Sequence, residues 1–122
     1  MSKPNEISID DVKYIRQDSI NKKAEAMDGM DYVLIRTYSA GVFTGYLKSR
    51  DGKEVVLLDA IRLWKWYGAA SLSQLSMEGV KNPSNCKFGM PVREIILTEA
   101  IEIHIASEQA MISIKSVPSW KV

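Results

Sequence analysis

The sequence predicts an α+β, β-rich fold: a small curled antiparallel sheet or an SH3/Tudor-like barrel, decorated by an N-terminal helix, a short middle helix and a C-terminal helix. Three observations carry this. Bulky residues alternate with a period of two through 32–38, 42–48, 54–58, 61–67, 93–98 and 100–105, as they do in covered or half-covered strands. Asp51-Gly52 lies between two of these runs and is the clearest hairpin signal in the chain. Helical spacing takes over in only three places, and each opens near a serine able to cap it.

Residues 1–7 are polar, hold a proline and are expected to be disordered, leaving 8–122 as a single ligand-binding domain. Ser8 caps the first helix, with Asp10 and Asp11 in its first turn, where the helix dipole favours negative charge. Ile9, Val12, Ile15 and Ala24 extend an apolar stripe over about 9 to 26, closed near Gly29. Strand 32–38 runs into the small-residue interruption Ser39-Ala40-Gly41, and strand 42–48 holds Gly45, which marks a bulge or a close backbone approach. After the Asp51-Gly52 turn come 54–58 and 61–67, the latter with Arg62, Trp64 and Trp66 on one face. Ser71 caps a short helix that stops at Gly79. Residues 80–89, with a proline, two asparagines and a glycine, read as a long loop of the kind that carries function. Strands 93–98 and 100–105 follow, and Ser107 caps a helix to Lys115 that Val117-Pro118 ends.

Sixteen basic against fifteen acidic residues give a net charge of +1, too little to attract long nucleic acid nonspecifically. The lone Cys86 excludes an intrachain disulfide framework and suits a reducing cytoplasm. No run approaches a membrane span, and the polar opening MSKPNEISIDD, without an apolar core of signal-peptide length, leads us to expect no secretory leader. His104 is the single histidine, so neither a nucleophile with its base nor a zinc set can be assembled from the usual residues. No cofactor fingerprint occurs. The expectation is a protein that is not an enzyme and holds no metal or cofactor. A hydrolase or lyase would have to draw on Glu102, His104 and Asp59.

Two stretches have binding chemistry. Arg36 and Tyr38 lead into Ser39, Ala40 and Gly41, where a planar guanidinium beside freed backbone amides can hold phosphate oxygens; Arg36 paired with an acid across the sheet is the alternative. Asn82, Asn85, Lys87 and Phe88 could stack on a base and bond its edge and sugar hydroxyls; a turn whose phenylalanine plugs the core is the equal alternative. Arg93 and Arg62 stand in reserve as further cations. Trp64, Trp66 and Tyr67 are read as interface or core residues, and Trp120 as a pin for the C-terminus.

The ordered set RTYSAG (36–41), RDGKEV (50–55), WKWYGAASL (64–72), NPSNCKF (82–88) and IILTEAIEI (95–103) resembles small phage proteins of the Thoeris anti-defence sponge family, from about residue 32 to the C-terminus. The resemblance implies a non-catalytic sponge that sequesters a cyclic ADP-ribose isomer (glycocyclic), an immune signal, and so blocks bacterial Thoeris anti-phage defence. Some members also take up cyclic di- or trinucleotides. It further implies a homodimer or a higher homo-oligomer such as a hexamer, in the cytoplasm of the infected host. On the matching motifs, Arg36, the 39–41 amides and Lys87 would take phosphates, Phe88 or Tyr38 the adenine, and Asn82 or Asn85 ribose or base edge. The alternative is a protein-interaction module, a small β-barrel that binds a host protein through an aromatic surface.

Overall fold

Residues 22–122 are described by a computed structural model. The N-terminal tail and most of the first predicted helix lie outside them. Within them, 22–26 are not helical: Lys23 forms an antiparallel bridge with Ser107, and a turn through Asp28 and Gly29 joins Met27 to Met30. The elements in order are β1 (Tyr32–Thr37), β2 (Val42–Asp51), β3 (Glu54–Lys65), α1 (Leu72–Glu78), a 3-10 turn (Pro83–Asn85), β4 (Lys87–Phe88), β5 (Val92–Leu97), β6 (Ala100–Ile105) and α2 (Glu108–Lys115). Ser71 and Ser107 cap the two helices through their side-chain oxygens, accepting from Gln74 N and Ala110 N.

The six strands form one antiparallel sheet in the order β4-β3-β2-β1-β6, with β5 also on β3. The long β3 carries β5 along Val55–Ala60 and β4 along Leu63–Lys65. This sheet is open, which corrects the expected small curled sheet or SH3/Tudor-like barrel. Closure needs the edge strands to pair. Here β5 and β6, separated by Thr98-Glu99 alone, add to β3 and β1 respectively instead of to each other.

The segments 54–58 and 61–67, expected as two strands, are one. Between Tyr46↔Leu58 and Thr44↔Ile61, Asp59 and Ala60 face Gly45 alone, and Asp59 takes a φ of 52°. Gly45 is required there, since a Cβ would sit 2.9 Å from the Leu58 carbonyl oxygen. The strand also ends sooner than its alternation suggested. Lys65 is its last residue, and Trp66 turns to pack with the helix-side core while Trp64 stays 56% exposed.

Alternation along β1 sends side chains to two cores. Tyr32 and Leu34 join Tyr46, Leu63 and Phe88 beneath Leu72 and Leu75 of α1 and Ala110 and Ile114 of α2. Val33 and Ile35 join Phe43, Val55, Leu57 and Leu97 on the other face. Each large apolar side chain buried this way contributes about 1.5–3 kcal/mol. The helices thus hold one sheet face, and the cavity described next opens at their edge.

Candidate functional site

A cleft of about 360 Å³ lies between the helix-side sheet face, α2 and the segment after it, lined by Tyr32, Asp59, Ile61, Phe88, Gly89, Pro91, Ile114, Lys115, Val117 and Ser119. Its size is within the range of pockets that enclose small ligands. The pairing register builds its floor: Tyr32 of β1 faces Tyr46 of β2, and their rings meet edge to face at 5.0 Å. Lys115 ends α2, where a cation complements the helix dipole. Its Nζ donates to Tyr46 Oη at 2.7 Å and sits 4.8 Å and 5.2 Å from the Tyr46 and Tyr32 ring centres. The β3 bulge opposite Gly45 brings Asp59 to the rim.

Tyr32 is the unusual member. It is 1% exposed, and among the described residues its hydroxyl has no hydrogen-bond partner. The neighbouring Thr44 hydroxyl donates to the Val33 carbonyl at 2.9 Å, and Tyr46 Oη is already held by Lys115. Burial pushes the Tyr32 pKa from 10.0 up to about 12, against a smaller lowering by the nearby Thr44 hydroxyl, which falls short of a well-formed hydrogen bond, so the phenol stays protonated and is a donor. A buried polar group without a partner costs about 1–3 kcal/mol. The cleft therefore pairs an unused donor and a cation with a carboxylate at the rim and apolar walls between them. Such a set suits a ligand with an anionic oxygen at one end and hydroxyls at the other.

Tyr32→Phe should accordingly stabilise the ligand-free protein by about 1 kcal/mol, because the orphan hydroxyl is removed and the ring kept. Chemical denaturation at pH 7 reads this directly, and a destabilised variant would show that the hydroxyl has a partner. The pH dependence has a definite sign. The folded pKa lies above the unfolded one, so the folded state binds more protons between pH 10 and about 12. Stability is then full below pH 10 and is lost as pH rises through 12, by on the order of 2–3 kcal/mol. Tyr32→Phe should flatten that part of the profile relative to the wild type.

The residues expected to bind ligand are not gathered in one cavity. Arg36 has its Nε 3.9 Å from Glu102 Oε1, the cross-sheet pairing given as the alternative. Tyr38 is 78% exposed, and the Ser39 hydroxyl donates to Glu99 Oε1 at 2.6 Å, so a carboxylate stands where an anion was expected. The Ala40 amide is taken by Thr37 Oγ1 at 2.9 Å, and Thr37 N and Oγ1 both donate to the Gly41 carbonyl. Asn82 receives the Ser84 hydroxyl and the Asn85 amide, and Asn85 itself is exposed on the 3-10 turn. Arg93 is exposed on β5.

Register explains the separation. Arg36↔Val42, Val42↔Leu63 and Leu63↔Phe88 form one row across four strands, which puts Arg36 and Phe88 roughly 14 Å apart. Phe88, 2% exposed, is core, though it and Gly89 do line the cleft, so the 80–89 segment supplies one wall. Lys87 lies 4.9 Å over the Trp120 ring, Trp120 meets Trp64 edge to face at 6.3 Å, and Arg62 lies 4.6 Å over Trp64. Tyr67 is exposed. Neither Tyr32 nor Lys115 stands out in the sequence, since each is ordinary in its own element; the one local signal is Gly45, whose bulge locates Asp59.

Among the described residues no group of three or more His, Cys, Asp or Glu is placed to hold a metal. No helix among them is long and apolar enough to cross a membrane. No curated protein and no solved structure matches the chain. One family profile does, over residues 30–114. That span takes in the sheet, the bulge and α2 up to the residue before Lys115, and so seven of the ten cleft residues, with Lys115, Val117 and Ser119 beyond it. Since it covers more than half of the sequence, the chain belongs to the family described as domain of unknown function DUF6948.

Proposed function

We propose that this protein is a non-catalytic sponge: it captures a cyclic ADP-ribose isomer in the Tyr32–Lys115–Asp59 cleft and thereby blocks bacterial Thoeris anti-phage defence in the cytoplasm of the infected host. The observation that carries the reading is the buried Tyr32 hydroxyl, without a hydrogen-bond partner among the described residues, in a cleft of ligand size where the Lys115 ammonium lies 5.2 Å from the Tyr32 ring centre. A phosphate oxygen would meet the exposed Lys115 ammonium, and would reach the Tyr32 hydroxyl only on a side-chain shift that uncovers it, while the ribose hydroxyls would donate to Asp59 and Ile61, Pro91 and Val117 would flank the base. The sequence resemblance supplies the identity of the ligand; the cleft supplies a place that fits its mixture of charge, hydroxyls and apolar surface. Gripping without cutting also agrees with the sparse set of acids and bases around it.

Capture at micromolar signal needs a Kd well below that, so about −9 to −12 kcal/mol of binding free energy. The test is incubation of the full chain with glycocyclic ADP-ribose, followed by heat denaturation and analysis of what is released. Stoichiometric recovery of intact ligand with a raised Tm is the expected result. Turnover to a linear product would overturn the passive mechanism. No thermal shift together with stoichiometric capture of a host protein would replace it with an interaction module, for which the exposed Trp64 and Trp120 are the available aromatic surface.

A further inference from the structure

The net charge of +1 hides a separation of signs. Segments 60–68, 79–93 and 109–122 hold seven of the sixteen cations and none of the fifteen acids. The fold brings these segments together. Lys65 pairs with Lys87, the Gly89 amide donates to the Arg62 carbonyl at 2.8 Å, and the Trp120 amide donates to the Phe88 carbonyl at 2.8 Å. Like charges gathered in this way raise a local positive potential that the average conceals. Among the described residues, ion pairs hold Lys22, Lys23, Arg36 and Lys48, and none holds Arg62, Lys65, Lys87 or Arg93.

Aromatic rings are interleaved with these cations. The Arg62 guanidinium lies over both Phe43 and Trp64, 4.8 Å and 4.6 Å from their ring centres. Trp64 meets Trp120 at 6.3 Å and 79°, and Lys87 lies 4.9 Å over Trp120. Both indoles stay more than half exposed, at 56% and 52%. Alternation from Ile95 and Leu97 of the second core puts Arg93 on the face of Phe43 and Arg62, away from the helices. We propose that this face binds single-stranded nucleic acid, with phosphates on Arg62, Lys87 and Arg93 and bases on Trp64 and Trp120. Cations tracking a backbone beside rings that bases stack on are the recurring means of holding such strands. The two nearly perpendicular indoles suit a flexible strand whose neighbouring bases turn into different planes, and not a duplex, whose bases stay stacked inside it. An acidic protein segment would use the charge and offer the indoles nothing flat to stack on.

Fluorescence anisotropy of a labelled oligothymidylate of about 12 nucleotides tests this on the full chain. Micromolar binding is expected, and three phosphate contacts should weaken it roughly 20-fold between about 50 and 200 mM salt. Trp64→Ala and Trp120→Ala should each weaken it at least about fivefold, the size of one base stacked on one ring. The double variant Lys87→Glu/Arg93→Glu changes exposed residues alone, so it decides the matter even where loss of Trp120 lowers the Tm. It should weaken binding at least about tenfold and flatten the salt dependence. Lys115→Met, in the cleft on the other face, should leave the strand bound as before, which keeps failure here distinct from failure of the sponge reading. No anisotropy change at the lower salt overturns the proposal. So does a duplex of the same length bound as tightly or more so, or a cyclic dinucleotide that displaces the strand at equal nucleotide concentration. Heparin displacing the strand while both tryptophan variants bind it like the wild type would reassign the face to an acidic protein. Displacement by phosphatidylserine vesicles that themselves bind the chain would reassign it to a membrane surface.

Discussion

Gly79→Ala is expected to lower the unfolding free energy by about 3–5 kcal/mol, from left-handed strain together with lost hydrogen bonds and a steric clash. That is a large part of the roughly 5–15 kcal/mol available to a domain of this size, and it corresponds to a fall in Tm of more than about 10 °C. Gly79 ends α1 with φ 78° and ψ −154°, a combination essentially confined to glycine. A Cβ there would lie 2.4 Å from Ser113 Cβ and 2.6 Å from Ser113 Oγ. Ser113 has no room to yield, since its hydroxyl both accepts from Val80 N at 2.9 Å and donates to Val80 O at 3.0 Å. This is the clamp that fixes α1 to α2, and α2 carries Lys115 over the two tyrosines. The variant should therefore lose ligand capture along with stability. If Gly79→Ala costs less than about 1 kcal/mol, the helices slide freely and the clamp is not what positions Lys115.

The chain's local signals identify its elements well and its assembly poorly, and the division has a physical cause. Serine caps, the Asp51-Gly52 turn and the alternation in β1, β2, β5 and β6 are written within a few residues, where backbone and side chain interact directly. The features that escape a reading of the sequence depend on partners distant along the chain. Whether 54–65 is one strand or two turns on Gly45 standing opposite Asp59 and Ala60, and neither segment alone carries that information. The openness of the sheet is decided at Thr98-Glu99, a link short enough for a hairpin that instead sends β5 and β6 to different strands. The site follows the same rule. Arg36 and Phe88 are singled out by their chemistry and stand at opposite ends of one row, one ion-paired and the other buried. Tyr32, Asp59 and Lys115 are individually ordinary and meet only because β1, the bulge of β3 and the last residue of α2 converge.

Lys115→Met should weaken capture of glycocyclic ADP-ribose by about 10- to 100-fold, the size of one charge-assisted hydrogen bond to a phosphate oxygen. Lys115→Glu should abolish it within the range of calorimetry, because an added negative charge then faces the anion across a partly enclosed cleft with Asp59 already at its rim. Stability should move much less. The cation over the two rings contributes about 0.5–1 kcal/mol at a site this exposed, and Tyr46 Oη keeps its contact with Met111 Sδ at 3.8 Å. Lys115 is therefore a residue whose removal separates binding from folding. Tyr32→Phe works on the other donor in the opposite sense, raising ligand-free stability while lowering affinity. The double variant tells whether the two groups hold one oxygen or two. If they share a single phosphate oxygen, the loss in Tyr32→Phe/Lys115→Met should fall short of the sum of the single losses by at least about 0.5 kcal/mol, as coupled neighbours do. Additive losses would place them on separate atoms of the ligand. A Kd unchanged by Lys115→Met removes the cleft from the function altogether, since among the described residues no other ammonium or guanidinium lines it.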